Sequence, residues 1–124
     1  MTEVKRDRQR VEPEEDHFSV EEKYLDVTEE AELFNLLGQA HMMRLIATFV
    51  RTADAWRFNE LRDTLDISQN TLSARLDELV EEDFVTRQSY DEIPPRVEYV
   101  PTKKLMDFKS VIWGLSEWAE QYEM

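Results

Sequence analysis

Between His41 and Arg51 the apolar residues Met42, Leu45, Ile46, Phe49 and Val50 recur at i, i+3, i+4, i+7 and i+8, the stripe of a helix with one buried face. Arg44, Thr48 and Arg51 take its other faces. Ahead of it, Thr28 reads as an N-cap, with Glu29 and Glu30 in a first turn where carboxylates suit the positive helix end. Leu33, Phe34, Leu36 and Leu37 follow, and Gly38 ends that helix. Beyond Arg51, Trp56 and Arg57 form a short extended piece. A third helix starts at Phe58 or Asn59, faces Leu61 and Leu65 inward and stops around Asp66. Ser68 then caps the clearest helix of the chain, which runs to about Asp83 with Leu72, Leu76, Leu79 and Val80 on one face.

The period then changes. Residues 84–90 and 96–100 are rich in β-branched and aromatic side chains, and Asp91, Glu92, Ile93, Pro94 and Pro95 join them, which predicts a hairpin with a long, stiff tip. The last helix opens at Thr102 and runs close to the C-terminus. Its seam of Leu105, Phe108, Ile112, Leu115, Ala119 and Tyr122 has heptad spacing. At about 100° per residue, Val111 and Trp118 widen that stripe to roughly 120°, enough for this helix to pack on its own domain and on a partner. Trp113 and Met106 lie on the opposite side, and Trp113 needs cover.

A chain of 124 residues fits one domain with one core. It has no cysteine, which rules out a disulfide scaffold or a zinc ribbon. The longest apolar run is only a few residues, so a soluble cytoplasmic protein is expected, without a membrane span. Its 28 acidic and 15 basic side chains give a formal charge of -13, and the acidic excess runs through the whole chain. Such a surface has two readings: an acidic protein that avoids polyanions, or, as favoured here, a halophilic, salt-adapted cytoplasm, where at molar salt the Debye length falls to about 3 Å. Residues 1–27 show no sustained periodicity and split into a basic knot (Lys5, Arg6, Arg8, Arg10) and an acidic stretch, and are expected to be a disordered charged tail ahead of a domain over 28–124.

The order helix, helix, short strand, helix, helix, hairpin, helix is that of a winged helix-turn-helix, a mainly α fold with a small β wing. The residues carry a more specific likeness. Arg57-Phe58-Asn59-Glu60-Leu61-Arg62, then Ile67-Ser68-Gln69 with Leu72, Leu76 and Leu79, then Pro94-Pro95-Arg96-Val97-Glu98-Tyr99 with Thr102, resemble HxlR-type transcriptional regulators. Leu36-Leu37-Gly38 and Glu117-Trp118 extend the resemblance over roughly residues 29–122. It implies a homodimer with N- and C-terminal dimerisation helices that binds a two-fold site in double-stranded DNA and regulates transcription. The dimer contacts expected are Phe34, Leu105, Phe108, Ile112, Leu115, Trp118 and Tyr122, and the heptad seam supports them independently. Several family members sense oxidants through a cysteine near the start of the first helix. Thr28 stands about there, so a thiol switch is excluded for this chain.

With Leu72 and Leu76 inward, the fourth helix turns Asn70, Ser73, Ala74 and Asp77 outward, with Gln69 and Thr71 beside them. Asn or Gln can bond adenine bidentately, Ser can bond either base edge, and an Ala methyl can touch thymine. Ser68, Gln69, Asn70, Thr71, Ser73 and Ala74 are therefore the groove candidates, with Arg75, Arg87 and Arg96 for phosphate or wing contacts. Arg57 and Arg62 are weaker phosphate candidates. Arg96 pairing with Asp91 or Glu98 to order the wing is an equal reading, with Tyr90 as a brace.

Charge complicates this picture. Residues 38–101 hold seven basic and twelve acidic side chains, a net of -5, and family members commonly carry basic or longer polar residues near Asn70 and Asp77. Cations held between carboxylates and phosphates would let such a surface bind DNA in molar salt. The rival expectation is a winged-helix interaction module that binds another regulator or the transcription machinery. No cofactor or metal is expected, and an enzyme is disfavoured: His17 and His41 form no pair, and no glycine-rich phosphate loop is present. Phe34, Phe108, Ile112 and Trp118, between the first and last helices, are expected to fill a dimer core; the alternative is an apolar cavity there that an unknown effector could enter.

Overall fold

A computed structural model describes residues 27–124. The tail expected over residues 1–27 therefore lies outside the described residues except at Val27, which opens a 3-10 turn, Val27–Glu30. Thr28 is inside that turn, and helix α1 begins later than its capping reading implies, at Ala31–Leu37. The sequence pattern holds better further on. Helix α2, Met42–Thr52, buries Met42, Leu45, Ile46, Phe49 and Val50 as the stripe requires. It also buries Thr48, expected on another face; the Thr48 hydroxyl donates to the Arg44 carbonyl at 2.8 Å, so its polar atom goes inside already satisfied.

Ala53 closes α2 in the left-handed region, φ 56°, with its N–H on the Phe49 carbonyl at 2.8 Å. Strand β1, Trp56–Arg57, follows, and the Trp56 indole donates to Thr52 Oγ1 at 3.0 Å. In helix α3, Phe58–Leu65, the Glu60 carboxylate accepts the Arg57 backbone N–H at 2.9 Å and so satisfies one end group of the helix. Helix α4, Gln69–Glu81, is capped by Ser68, whose Oγ accepts the Thr71 N–H at 3.4 Å.

Strands β2, Val85–Tyr90, and β3, Arg96–Pro101, form the hairpin, and β1 adds to its other side, giving the antiparallel order β1-β3-β2. The register runs from Val85 opposite Pro101 to Tyr90 opposite Arg96, with Trp56 opposite Tyr99. One cluster joins α2, α3, α4, the sheet and the C-terminal helices through Phe49, Leu61, Leu72, Leu76, Leu79, Val85 and Leu105.

The single last helix expected from Thr102 onward is two. Thr102 caps α5, Lys103–Met106, accepting the Leu105 N–H at 3.2 Å, and α6 spans Lys109–Gln121. Between them the N–H groups of Phe108 and Val111 bond three residues back, to Leu105 and Phe108 at 2.9 and 3.1 Å, which tightens the chain into a corner. Side chains pin it: Lys103 pairs with Asp107 at 2.9 Å and Phe108 stacks on Phe84 with centroids 6.4 Å apart. The Asp107 carboxylate, through its hydrogen bond and then its charge, holds the Lys103 ammonium above the ordinary lysine range.

Candidate nucleic-acid interface

Helix α4 is held by three fully buried leucines, Leu72, Leu76 and Leu79. That fixes its roll and leaves Gln69, Asn70, Ser73, Ala74, Asp77 and Glu81 exposed. Ser68 orients the first turn, and its hydroxyl also donates to Thr71 Oγ1 at 3.0 Å. Thr71 is half-buried by this contact and stands less open than its neighbours. The groove candidates Gln69, Asn70, Ser73 and Ala74 thus form one continuous patch of short side chains over the first two turns.

The three arginines assigned together to phosphate or wing contacts separate. Arg75 is only 14% exposed; its Nη1 donates to Gln39 Oε1 at 2.9 Å, and its Nε lies 2.9 Å from Glu78 Oε1 as an ion pair without the alignment of a hydrogen bond. Its guanidinium therefore ties α4 to the turn after α1 instead of pointing outward. Arg96 orders the wing: it pairs with Glu92 at 2.9 Å and Glu98 at 3.5 Å, and its guanidinium carbon stands 4.1 Å over the Tyr90 ring. Glu92 takes the place expected for Asp91, and Tyr90 is the brace. Arg87 is exposed, and no side-chain partner engages it among the described residues. Of the weaker candidates, Arg62 pairs with its neighbour Asp63 at 3.2 Å, and Arg57 is exposed.

The proposed dimer residues also divide. Leu105 and Ile112 lie in the chain's own core, so their side chains are not offered to a partner, and Phe108 is half-buried against Phe84. Further along α6 the seam leaves the core: Leu115, Trp118 and Tyr122 are 53%, 55% and 60% exposed, and the Trp118 and Tyr122 rings lie 5.2 Å apart. Phe34 of α1 is exposed too. Among the described residues, Ile112 lines a cleft that opens between α2 and α6, beside Trp113. Trp113 gains cover from Lys109, whose Nζ is 5.1 Å from its ring.

Two residues escaped the sequence reading. Gln39 anchors Arg75 from a position 36 residues away, and Arg44 Nη2 donates to the Leu65 carbonyl at 2.8 Å, tying α2 to the end of α3. The periodic pattern puts Arg44 on an outer face of α2, but no local signal marks its partner or that of Gln39. His41, in the left-handed region at φ 67°, faces Arg44 Nη1 at 3.2 Å on the surface. Among the described residues no cluster of His, Asp or Glu is placed to hold a metal ion, and no helix is long and apolar enough to cross a membrane.

The model of the HxlR-like helix-turn-helix family matches residues 36–124. The chain belongs to that family. Its fold class, mainly helical with a three-stranded sheet and a wing, is the one expected. Over 78 residues it is 30% identical to MalR of Fusobacterium mortiferum, named as a regulatory protein, covering 62% of this chain and 74% of that one. Over 67 residues it is 37% identical to the HTH-type transcriptional regulator YodB of Bacillus subtilis, covering 53% of this chain and 60% of that one. The solved reduced form of YodB superposes with a TM-score of 0.69 at 31% identity, over 77% of this chain and 92% of that one. A solved MarR-family regulator of Enterococcus faecalis superposes at 0.70 and 27% identity, over 79% of this chain and 88% of that one. These relatives carry a regulatory role, which is not an enzymatic one.

Proposed function

We propose that this protein is a homodimeric transcriptional regulator that reads double-stranded DNA through α4. The observation that carries this reading is the exposed patch of Gln69, Asn70, Ser73 and Ala74, set by a helix roll that three buried leucines fix. Amide, hydroxyl and methyl groups at a helix N-terminus match the donors, acceptors and thymine methyls of a major groove. Arg87, exposed on the wing strand β2, is the candidate for phosphate. A second copy of the chain covers the α6 stripe of Leu115, Trp118 and Tyr122, and the exposed Phe34 of α1 joins the contact.

Two of the three assigned arginines are engaged within the chain, and residues 38–101 carry a net charge of -5. Few cations then remain to displace counterions from DNA, so the fall of affinity with salt is shallow. Asp77 and Glu81 approach phosphate through shared cations, and the protein works in a salt-rich cytoplasm. Those same carboxylates favour the rival reading, an interaction module that engages another protein through α6 and Trp113.

Anisotropy titrations of labelled DNA from upstream of its own gene, over about 0.1–3 M KCl with competitor DNA present, test both. Saturable, sequence-selective binding that survives high salt, and that Asn70→Ala with Ser73→Glu abolishes, supports the regulator. A steep loss with salt removes the shared-cation account. No selective binding at any salt puts the interaction module first.

A further inference from the structure

Helix α6 has two faces with different neighbours. With Ile112 at 0° and about 100° per residue, Trp113, Glu117 and Glu120 fall at roughly 100°, 140° and 80°, while Leu115, Trp118 and Tyr122 fall at roughly 300°, 240° and 280°. The second set is the exposed apolar stripe already given to a partner. The first set faces α2, and with Ala47 and Arg51 it lines a cleft of about 280 Å³. A second copy seated on the stripe leaves this cleft open.

The lining is amphoteric. Ala47, Ile112 and the Trp113 ring supply an apolar wall, Arg51 one positive head, and Glu117 and Glu120 two carboxylates. No ion pair joins Arg51 to either glutamate among the described residues, so opposite charges stand around the cleft with their bonding capacity unused. A simple anion would meet Arg51 but face two carboxylates; a simple cation would meet the carboxylates but face Arg51. A molecule that carries both charges on an apolar body meets all three. The volume is just under the range of about 300–1,000 Å³ typical of drug-sized sites, which limits the occupant to about the size of an amino acid.

We propose that this cleft binds a free zwitterionic amino acid with an apolar or aromatic side chain. Its carboxylate meets Arg51, its ammonium meets Glu117 and Glu120, and its side chain lies on Trp113, Ile112 and Ala47. α2 and α4 both contribute to the one hydrophobic core. The test needs no DNA, and its outcome is separate from that of the regulator reading.

Isothermal titration of the full chain with L-phenylalanine and L-leucine, against 2-phenylethylamine and 3-phenylpropanoate, is decisive at a salt concentration where circular dichroism shows the protein folded. Saturable binding of at least one amino acid is expected, with the amine and the acid at least tenfold weaker. Arg51→Gln and Glu117→Gln should each weaken it at least tenfold with an unchanged thermal midpoint, since both side chains are exposed. No saturable binding of either amino acid, equal binding of the amine or the acid, or full affinity in Arg51→Gln would each overturn the proposal. The comparison of the four ligands on the unaltered chain stands even if a variant fails to fold.

Discussion

Arg75 separates two ways of reading an arginine on a DNA-facing helix. If it contacts phosphate, replacing it by Gln costs almost no folding stability, within about 0.5 kcal/mol for a surface change, and lowers the salt slope of DNA binding by about 1. The structure gives the opposite expectation. Its guanidinium is 14% exposed, donates to Gln39 Oε1 at 2.9 Å and stands 2.9 Å from Glu78 Oε1. A hydrogen bond with one charged partner is worth about 1.5–3 kcal/mol. Residual exposure and the freedom of Glu78 to turn to water reduce that, so Arg75→Gln should destabilise by about 1–2 kcal/mol. Urea unfolding of Arg75→Gln, Gln39→Ala and the double variant measures it directly. A coupling of about 0.5–1.5 kcal/mol is expected, since the two side chains touch. The three buried leucines still hold the roll of α4, so DNA selectivity and the salt slope should both stay as they are while stability falls. A coupling near zero together with a shallower slope would refute this and return Arg75 to phosphate.

Arg87→Gln should do what Arg75→Gln does not, flattening the salt dependence by about 1 per protomer with stability unchanged; a steepened or unaltered slope in anisotropy titrations contradicts it. Leu76→Ala removes a fully buried side chain beneath the groove patch and should cost about 3 kcal/mol in urea unfolding, and a loss under about 1 kcal/mol would mean that α4 is not held from below. Ala53→Gly should stabilise by about 1 kcal/mol, because the residue sits at φ 56°, where a Cβ is strained; thermal or urea melts with no gain would show that the strain is absent. Leu115→Ala with Trp118→Ala should give monomers or insoluble protein in sedimentation at micromolar concentration, and an unchanged dimer removes that stripe from the interface.

What the sequence disclosed and what it hid follow from the range of the interactions involved. The leucine stripe of α4, its Ser68 cap and the short polar patch opposite are local, periodic features, and all were legible. The hairpin was legible for the same reason, as were β1 and the order of elements. The corner at Asp107 and Phe108 was not: heptad spacing runs straight through it, and the contact that accompanies it, Phe108 on Phe84, is with a partner 24 residues away. Dividing the last helix also divides its seam, so Leu105 and Ile112 belong to the core while Leu115, Trp118 and Tyr122 remain outside. Spacing alone gave one stripe with two possible owners and no means of telling where ownership changes.

The arginines show the same limit on the side of charge. Composition fixes how many cations a surface owns, but only tertiary contacts decide how many stay available. Arg75 is used by a glutamine 36 residues away, and Arg96 by Glu92, Glu98 and the Tyr90 ring. In a chain of charge -13 each such engagement removes a large share of what could neutralise phosphate. Under the regulator reading, Arg87 and the exposed Arg57 are the arginines left for phosphate, which at about 0.9 per phosphate gives each protomer a slope of about -2 before cations shared with Asp77 and Glu81 offset it. A measured slope far steeper than that would mean that Arg75 or Arg96 leaves its carboxylates on DNA, and that the contacts seen here hold those side chains only until phosphate competes for them.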